Sequence, residues 1–445
     1  MEEFDYIVVG AGSAGCVLAN RLSQDPAVTV LLLEAGGSDR RWDVKIPLAV
    51  SKLWPNPELT WGFLSEPEPE LGGRRLPVAR GRMLGGTSSL NGMMAIRGHA
   101  ADYDGWRDTG LAGWGWDDVL PWFRKLERHW RGDGPFHGGS GPLSVEPHPA
   151  PSPIMRHAVE AARGMGFPIT DDFNGDRTDG FGMPDFTIRN GRRNSAADAY
   201  LRPALSRPNL AIRTNALATR VLIGNGAAEG VAYLQGGHER AAQARREVVL
   251  CGGAINSPQL LLLSGIGPAA DLGALGITVA AYSRAVGANL QDHPGAGIEL
   301  DLDPSLGFER ELRFDRLARS ASRWLVAGKG PLGAPPLVIS ANVATRPGST
   351  QVDLHFLLIP LAMESRVWFP GIRRGFGARL GAMWSLNYPE SRGSLDLADA
   401  DARTHPRIRF NLLSAEKDRA EMIRGYRVLR ALLDQPALAG VTGAT

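Results

Sequence analysis

Hydrophobic residues at the start of the chain form two short blocks separated by a helical pattern. Residues 4–9 (FDYIVV) are a mostly apolar run of strand length, and residues 28–33 (VTVLLL) form a second one. Between them, small and apolar residues recur with helical spacing from residue 14 to residue 22, and Asp25-Pro26 ends the segment. The pattern predicts a buried strand, a helix and a second buried strand.

The last third of the chain has a different pattern. Residues 353–361, 381–389 and 405–413 read as strands of an antiparallel sheet. Residues 416–433 carry apolar side chains at a spacing near 3.6, which predicts an amphipathic helix. Earlier, Ser257-Pro258 follows a strand pattern and predicts a helix that begins at this proline.

The turn after the first strand contains candidate chemistry. Gly10, Gly12 and Gly15 form a G-x-G-x-x-G motif, and Glu34 ends the second strand. In a dinucleotide-binding unit such glycines allow a tight turn, close approach of a pyrophosphate and close packing of helix on strand. A carboxylate at the end of the second strand can accept hydrogen bonds from a ribose diol. The motif alone leaves NAD and FAD open.

Composition and charge limit the remaining choices. The 445 residues are enough for two or three domains, and the formal net charge of +2 offers no argument for binding nucleic acid. The nine histidines show no HxH or HExxH spacing, so no metal site is expected. No window approaches the ~18 consecutive apolar residues of a transmembrane helix.

Cysteine content bears on location. Cys16 and Cys251 are the two cysteines, which excludes a disulfide framework and predicts a reducing compartment. The first residues read as a strand, because they lack the basic start and long apolar run of a signal peptide. The expected location is the bacterial cytoplasm, and a peripheral contact with a membrane stays open.

A glycine-rich stretch separates the cofactor alternatives. Residues 81–104 (GRMLGGTSSLNGMMAIRGHAADYD) resemble the first signature of the glucose–methanol–choline (GMC) flavin oxidoreductases. Residues 253–267 (GAINSPQLLLLSGIG) resemble the second signature, and residues 286–294 and 389–397 resemble further family segments in family order. Together these motifs are far more specific than any one of them, and they imply FAD.

The resemblance implies an α/β fold, or α+β over the whole chain. A Rossmann-like FAD-binding domain is expected from the discontinuous residues 1–155 and 195–300. A substrate domain with an antiparallel sheet flanked by helices is expected from residues 156–194 and 301–445.

The resemblance also implies which residues meet the cofactor. The loop like 81–98 wraps the flavin in such enzymes, and members that bond covalently to FAD carry a histidine where this chain has Leu90. Leucine has no nucleophile, so noncovalent FAD is expected. The expected FAD contacts are Gly10, Gly12, Ser13, Ala14, Gly15, Glu34, Ala35, Gly85, Gly86, Ser88, Asn91, Gly92, Met93, Val221 and Gly252.

Catalytic residues are not predicted by the same route. Family members continue past the position of Thr445 with the histidine that faces the flavin and a following His or Asn. The chain is therefore expected to be a partial record or a truncated product with impaired activity. An imidazole suits removal of an alcohol proton. His293 and His355 are the weak candidates within the chain.

The expected reaction is hydride transfer from the CH–OH group of an alcohol to flavin N5, with oxygen or a quinone-type carrier as electron acceptor. A truncated, impaired flavin-binding protein and a redox-silent lyase on the same scaffold are the alternatives. Choline-oxidising relatives place a glutamate where this chain has Gly295, which favours neutral alcohols over choline.

Overall fold

The computed structural model describes residues 1–149, 151–337, 339–346, 348, 351–362 and 364–443. Two large sheets organise the chain. Their strands are, in chain order, β1 (Glu2–Val9), β2 (Val30–Leu33), β3 (Gly180–Gly182), β4 (Leu210–Arg213), β5 (Ala216–Gly224), β6 (Ala227–Gln235), β7 (His238–Leu250), β8 (Gly295–Asp301), β9 (Ile339–Val343), β10 (Leu354–Ile359) and β11 (Arg379–Leu386).

Helices pack on these sheets. The longer ones are α1 (Ser13–Leu22), α2 (Ala100–Asp108), α3 (Trp116–Leu126), α4 (Met155–Gly164), α5 (Gly253–Leu263), α6 (Ala269–Ala274), α7 (Phe314–Ala327) and α8 (Glu416–Leu433). Short helices cover Trp42–Lys45, Val50–Leu53, Arg202–Ala204 and Pro436–Ala439, and a π-helical turn covers Ala197–Leu201. Small two-stranded ladders join Phe63–Leu64 to Pro77–Val78, Glu127–His129 to Leu143–Val145, Ile188–Arg189 to Arg192–Arg193, Ile266–Gly267 to Ala281–Tyr282, and Ser394–Asp396 to Arg407–Arg409.

The first sheet has the order β4-β2-β1-β7-β6-β5. Strands β4, β2, β1 and β7 are parallel, whereas β7, β6 and β5 form an antiparallel meander. Alternate residues of β2 reach opposite faces: Leu32 packs with α1 and the Ala197–Leu201 turn, and Leu33 packs with the meander. Burial on both faces explains why β2 appears in the sequence as a continuous apolar run.

The second sheet is antiparallel throughout, with the order β8-β11-β10-β9-β3. Helices α4 and α8 and the short helix Pro436–Ala439 cover one core of this sheet. The mixed α/β fold class predicted from the sequence is confirmed. The division into two domains stays a prediction, and β8 pairs with β11, so residues 295–300 join the sheet expected for the substrate domain.

Two local predictions were wrong. Helix α5 begins at Gly253, five residues before Pro258, because Gly253 takes φ +76° and turns the chain from strand into helix at once. Residues 405–413 do not join the large antiparallel sheet. Only Arg407–Arg409 is a strand there, and its buried Ile408 faces Leu395 and α5 in a separate core.

Candidate functional site

The parallel strands end at a cavity of about 530 Å³, a volume typical of ligand sites. Its walls are mostly backbone and small side chains. The lining comes from the carboxyl ends of β1, β2 and β7, the start of α1, the start of β5 and the start of α5. This is the sheet edge at which nucleotides bind in open α/β folds.

The first glycine motif shapes one wall by close backbone packing. Gly10 has φ +100°, a conformation that favours glycine. A Cβ on Gly15 would lie 1.9 Å from the Gly10 carbonyl oxygen, so only glycine permits this contact. Gly12 differs, because a Cβ there would meet only the Cys251 oxygen at 3.9 Å. Gly12 therefore leaves space at the cavity wall.

Helix α1 presents its N-terminus to this cavity. Its N-cap is Gly12, which has no side chain to cap the first N–H groups. Ser13 and Ala14 line the cavity directly after it. Unsatisfied N–H groups at a helix start attract phosphate, so the arrangement fits a pyrophosphate.

Glu34 places a buried carboxyl group in the same cavity. Its Oε2 accepts the Ala11 N–H at 2.9 Å, and its Oε1 accepts the Gly36 N–H at 2.8 Å. Burial raises the pKa of Glu34 to about 7, while these two N–H donors and Arg82 act in the opposite direction. Each carboxylate oxygen can accept more than one hydrogen bond, so a ribose diol remains compatible with the site.

The glycine-rich loop closes against the first motif. The Gly85 N–H donates to the Ala11 oxygen at 2.7 Å. Gly86 has φ +51°, and a Cβ on it would lie 2.7 Å from the Gly12 Cα. The two motifs are far apart in sequence yet touch through backbone. The glycines of the loop therefore allow a close approach between these two segments.

The structure brings about half of the predicted contacts into this cavity. Those that line it are Gly10, Gly12, Ser13, Ala14, Glu34, Ala35, Gly86 and Gly252. Those outside its lining are Gly15, Gly85, Ser88, Asn91, Gly92, Met93 and Val221. The Val221 N–H donates to Ser264 Oγ at 2.8 Å, whereas residues 216–218 of the same strand line the cavity. The FAD contacts stay predictions.

Other lining residues were not predicted from the sequence. They include Trp61, Arg80, Asn256 and Ala402. None belongs to the local glycine motif, and Ala402 comes from the far end of the chain. Of these four, only Asn256 lies within one of the two signatures of the sequence.

A second cavity, of about 820 Å³, begins where the glycine-rich loop ends. Met94 and residues 96–98, at the end of that loop, form part of the cavity wall, together with the next residue, His99. Aromatic side chains of Tyr103, Trp106 and Tyr388 form another part.

The catalytic candidates differ in whether the structure describes them. His293 and His355, the weak candidates within the chain, both line the second cavity. The family histidine and its following His or Asn are expected beyond Thr445, and Thr445 itself lies outside the residues that the structure describes. The expectation about that position therefore stays a prediction, and the two histidines of the cavity are the catalytic candidates among the described residues.

The two histidines have different surroundings. His355 lies on β10, and its Nε2 is 3.0 Å from Ser340 Oγ of the neighbouring strand. Burial lowers the pKa of His355 to about 4, and the nearby His293 acts in the same direction. His293 is exposed, and its backbone N–H donates to Asp292 Oδ1 at 2.9 Å. At neutral pH the imidazole of His355 is therefore uncharged.

Asp102 organises the wall opposite the sheet. Its Oδ1 accepts the Tyr388 hydroxyl at 2.7 Å, and its Oδ2 accepts the His99 N–H at 2.8 Å. Burial and this carboxylate raise the pKa of Tyr388 above its usual range. Arg97, which also lines the cavity, pairs with the buried Glu127 at 2.9 Å. Charged, aromatic and apolar side chains share the lining of the cavity, and its charged groups are largely engaged.

Comparison with known families identifies the chain's relatives. The N-terminal GMC oxidoreductase family model matches residues 4–295, and the C-terminal GMC oxidoreductase model matches residues 389–444. The chain belongs to the GMC oxidoreductase family. This membership confirms the family prediction and FAD as the cofactor, so the chain is an FAD-dependent oxidoreductase.

Individual GMC relatives cover nearly the whole chain. An oxygen-dependent choline dehydrogenase of Pseudomonas aeruginosa (strain LESB58) is 41% identical over 444 residues, which are 98% of this chain and 78% of that protein. One of Rhizobium etli is 39% identical over 440 residues, covering 99% of this chain and 79% of that protein.

Solved GMC structures share the fold. The pyridoxine 4-oxidase described as from Mesorbium loti superposes with a TM-score of 0.85 at 30% identity, over 99% of this chain and 82% of that chain. A formate oxidase variant of Aspergillus oryzae superposes with a TM-score of 0.91 at 26% identity, over 100% of this chain and 83% of that chain.

The residues present fit FAD. The uncapped start of α1 suits the pyrophosphate, the Glu34 carboxylate suits the ribose, and the space at Gly12 would be filled by any side chain. Among the described residues, no group of three His, Cys, Asp or Glu side chains is placed to hold a metal ion. No helix within the described ranges is long and apolar enough to cross a membrane.

Proposed function

We propose that this chain oxidises the CH–OH group of a small alcohol bound in the second cavity, giving an aldehyde or ketone. One observation carries the proposal: the cavity that contains His355 is lined in part by the end of the loop expected to wrap the flavin. FAD, when bound, supplies the hydride acceptor at its N5 atom. The chain's own residues bind the alcohol, orient it and receive its hydroxyl proton.

The polar groups of the cavity divide this work. Tyr103 and Trp106 offer apolar faces to the carbon skeleton of an alcohol. His355 is the first candidate acceptor for the hydroxyl proton, because it lines the cavity and its imidazole is uncharged at pH 7. His293 is the second candidate. Neither assignment follows from distance to a substrate, so both are hypotheses for mutagenesis.

The test is anaerobic mixing of the flavin-loaded protein with a panel of alcohols. Oxidation predicts loss of the visible flavin absorbance, and recovery when air is admitted. A lyase on this scaffold, or a flavin-binding protein without activity, would leave the oxidised spectrum unchanged with every alcohol. An unchanged spectrum across primary, secondary and benzylic alcohols would refute the proposed function.

We propose neutral alcohols as the preferred substrates. Gly295 stands where choline-oxidising relatives are expected to carry a glutamate, and it has no carboxylate for a quaternary ammonium. Within the cavity, Asp102 is engaged by Tyr388, and Asp292 lies 3.7 Å from Arg80. Choline is the second candidate, since relatives named choline dehydrogenases are 41% and 40% identical and aromatic faces can hold such a cation. A higher kcat/KM for choline than for benzyl alcohol would reverse this order.

We propose that the FAD is noncovalent. Leu90 is 1% exposed and has no atom that could bond to the flavin. Acid precipitation should therefore release the flavin into the supernatant, and flavin retained in the precipitate would refute this. Oxygen is the proposed electron acceptor, with a quinone-type carrier as the alternative. Rapid reoxidation by dissolved oxygen, compared with reoxidation by a soluble quinone, distinguishes the two.

We propose a bacterial cytoplasmic location, where thiols stay reduced. Cys16 and Cys251 are both free, and burial raises the pKa of Cys251 to about 11, so this thiol is a poor nucleophile. Fractionation of cells that express the chain tests the location. Recovery with the periplasm or washed membranes would contradict it.

A further inference from the structure

Arg193 is a buried cation that contacts the glycine-rich loop from behind. It lies in the short strand Arg192–Arg193, and its side chain is only 2% exposed. Its Nη1 donates to the Asn91 carbonyl oxygen at 2.7 Å and to the Ser88 carbonyl oxygen at 3.2 Å. Nη1 also lies 2.9 Å from Asn91 Oδ1, and Nε donates to the Val44 carbonyl oxygen at 3.0 Å.

This guanidinium has no close carboxylate partner among the described residues. Asp198 favours its charge only from a distance, and burial lowers the pKa of Arg193 to about 10. Its Nη2 atom makes no hydrogen bond to any part of the chain that the structure describes. An unpaired buried charge costs stability, so a residue kept only for packing would be better apolar.

The segment that Arg193 contacts is the part of the loop beyond the first cavity. At one end, Gly85 and Gly86 are fixed against the Gly10–Gly12 turn by backbone contacts. At the other end, Arg193 bonds the carbonyls of Ser88 and Asn91, and Trp54 Nε1 donates to the Leu90 oxygen at 3.1 Å. The planar guanidinium thus bonds Val44 through Nε and the loop carbonyls of Ser88 and Asn91 through Nη1, a fork of two nitrogens that a lysine ammonium cannot reproduce.

We propose that Arg193 is a positioning residue for the flavin: it fixes the backbone from Ser88 to Asn91 and keeps one positive charge behind that wall. This inference goes beyond the proposed function: it takes the loop as the surface that meets the flavin ring, and it requires FAD binding but not alcohol oxidation. A fixed positive charge favours the reduced, more negative flavin, so it would raise the midpoint potential of the bound cofactor.

The experiment compares R193M and R193K with the matched control R207M. Arg207 also donates to a backbone carbonyl, that of Asn20 at 2.5 Å, and bonds Ser23 Oγ at the end of α1, away from the loop. FAD affinity of the flavin-stripped protein, midpoint potential of the loaded protein and thermal stability of the stripped protein are measured for each.

We expect R193M to bind FAD at least tenfold more weakly and to shift the midpoint potential to a more negative value. R193K should keep the potential near that of the unmodified protein, because it keeps the charge, while its FAD affinity falls with the lost fork. R207M should lower thermal stability without changing affinity or potential.

A purely structural Arg193 would give the opposite pattern. Equal losses of thermal stability in R193M and R207M, with FAD affinity and potential unchanged in both, would overturn the proposal. If R193M does not fold, R193K decides, since unchanged FAD affinity in R193K also overturns it. None of these measurements needs a substrate. A chain whose flavin no alcohol reduces would refute the proposed function and leave the Arg193 result standing.

Discussion

The two cavities of this protein are lined by different kinds of residue. The first is walled by backbone, glycines and small side chains, with Glu34, Arg80 and Cys251 as its titratable members. The second is lined by charged, aromatic and imidazole side chains, among them Asp102, His355 and Tyr388. The difference suggests a division of labour: the first recognises a constant cofactor by shape, and the second handles a proton and a variable substrate.

The largest effect is expected from a substitution that disrupts the wall of the first cavity. Gly86→Ala places a Cβ 2.7 Å from the Gly12 Cα at φ +51°. Strain in the left-handed region and overpacking together should cost about 2–5 kcal/mol of folding free energy. Thermal unfolding of the flavin-stripped protein should show a strongly lowered midpoint, and FAD binding should be lost.

Gly12→Ala is the matched control for that change. Its Cβ would meet only the Cys251 oxygen at 3.9 Å, and Gly12 has an ordinary extended φ of −75°. The stripped protein should therefore fold normally, while the added methyl group weakens FAD binding by occupying cavity space. Equal stability of both variants would show that the two glycine motifs do not depend on close contact.

The next effect concerns His355 in the second cavity. Its pKa is about 4 in the folded chain against an ordinary 6.5. Because the pKa of His355 is lower in the folded than in the unfolded chain, its neutral imidazole contributes to folding stability above pH 6.5. This contribution is lost as the pH falls toward 4. The loss between pH 7 and pH 4 should reach about 3 kcal/mol. The free energy of unfolding of H355Q, measured with denaturant, should not show this part of the loss of stability between pH 7 and pH 4.

His293 supplies the control for that measurement. It lines the same cavity but is exposed, so H293Q should keep most of the acid loss seen in the unmodified protein. If H355Q loses as much folding stability between pH 7 and pH 4 as the unmodified protein, the loss comes from other groups. That result would also remove the main argument that His355 is a neutral base at pH 7.

The sequence predicted the first cavity better than the second for a physical reason. A strand, a turn, a helix and a second strand lie within residues 2–34, so the fingerprint and Glu34 come together through local structure. The second signature adds Gly252 through β7, which pairs with β1. Local motifs of this kind carry their geometry in their spacing.

The second cavity depends on pairings that no local motif encodes. His355 is brought to its place because β10 lies between β9 and β11, opposite Asn342 and Ser385. Tyr388 meets Asp102 across 286 residues of sequence, and Arg193 meets Asn91 across 102. The strand pattern predicted that an antiparallel sheet exists, but its register decides which side chains face the cavity.

A smaller effect sharpens the role of Glu34 in the first cavity. E34Q replaces one acceptor by an amide that cannot accept both the Ala11 and Gly36 N–H groups and a ribose hydroxyl. FAD affinity should fall by roughly 30-fold, equivalent to about 2 kcal/mol. Fluorescence titration with FAD measures it, and affinity equal to that of the unmodified protein would refute a ribose role for Glu34.

The same residue predicts a pH dependence. Burial raises the pKa of Glu34 from 4.5 to about 7. The protonated carboxyl group therefore contributes to the folding stability of the flavin-stripped protein below pH 4.5, and this contribution is lost as the pH rises through 7. The ribose diol prefers the ionised form, so FAD affinity should rise from about pH 6 to about pH 8. E34Q should show neither trend.

The smallest expected effect tests whether the second cavity is independent of the first. Y388F removes the hydrogen bond from the Tyr388 hydroxyl to Asp102 Oδ1, which should cost about 1 kcal/mol. Because Asp102 also accepts the His99 N–H directly after the glycine-rich loop, the loss should loosen the substrate wall and raise KM for alcohols severalfold. FAD affinity should not change, since Tyr388 lies outside the first cavity. A parallel loss of FAD affinity in Y388F would mean that the two cavities act as one site, with residues 94–99 coupling the substrate wall to the cofactor loop.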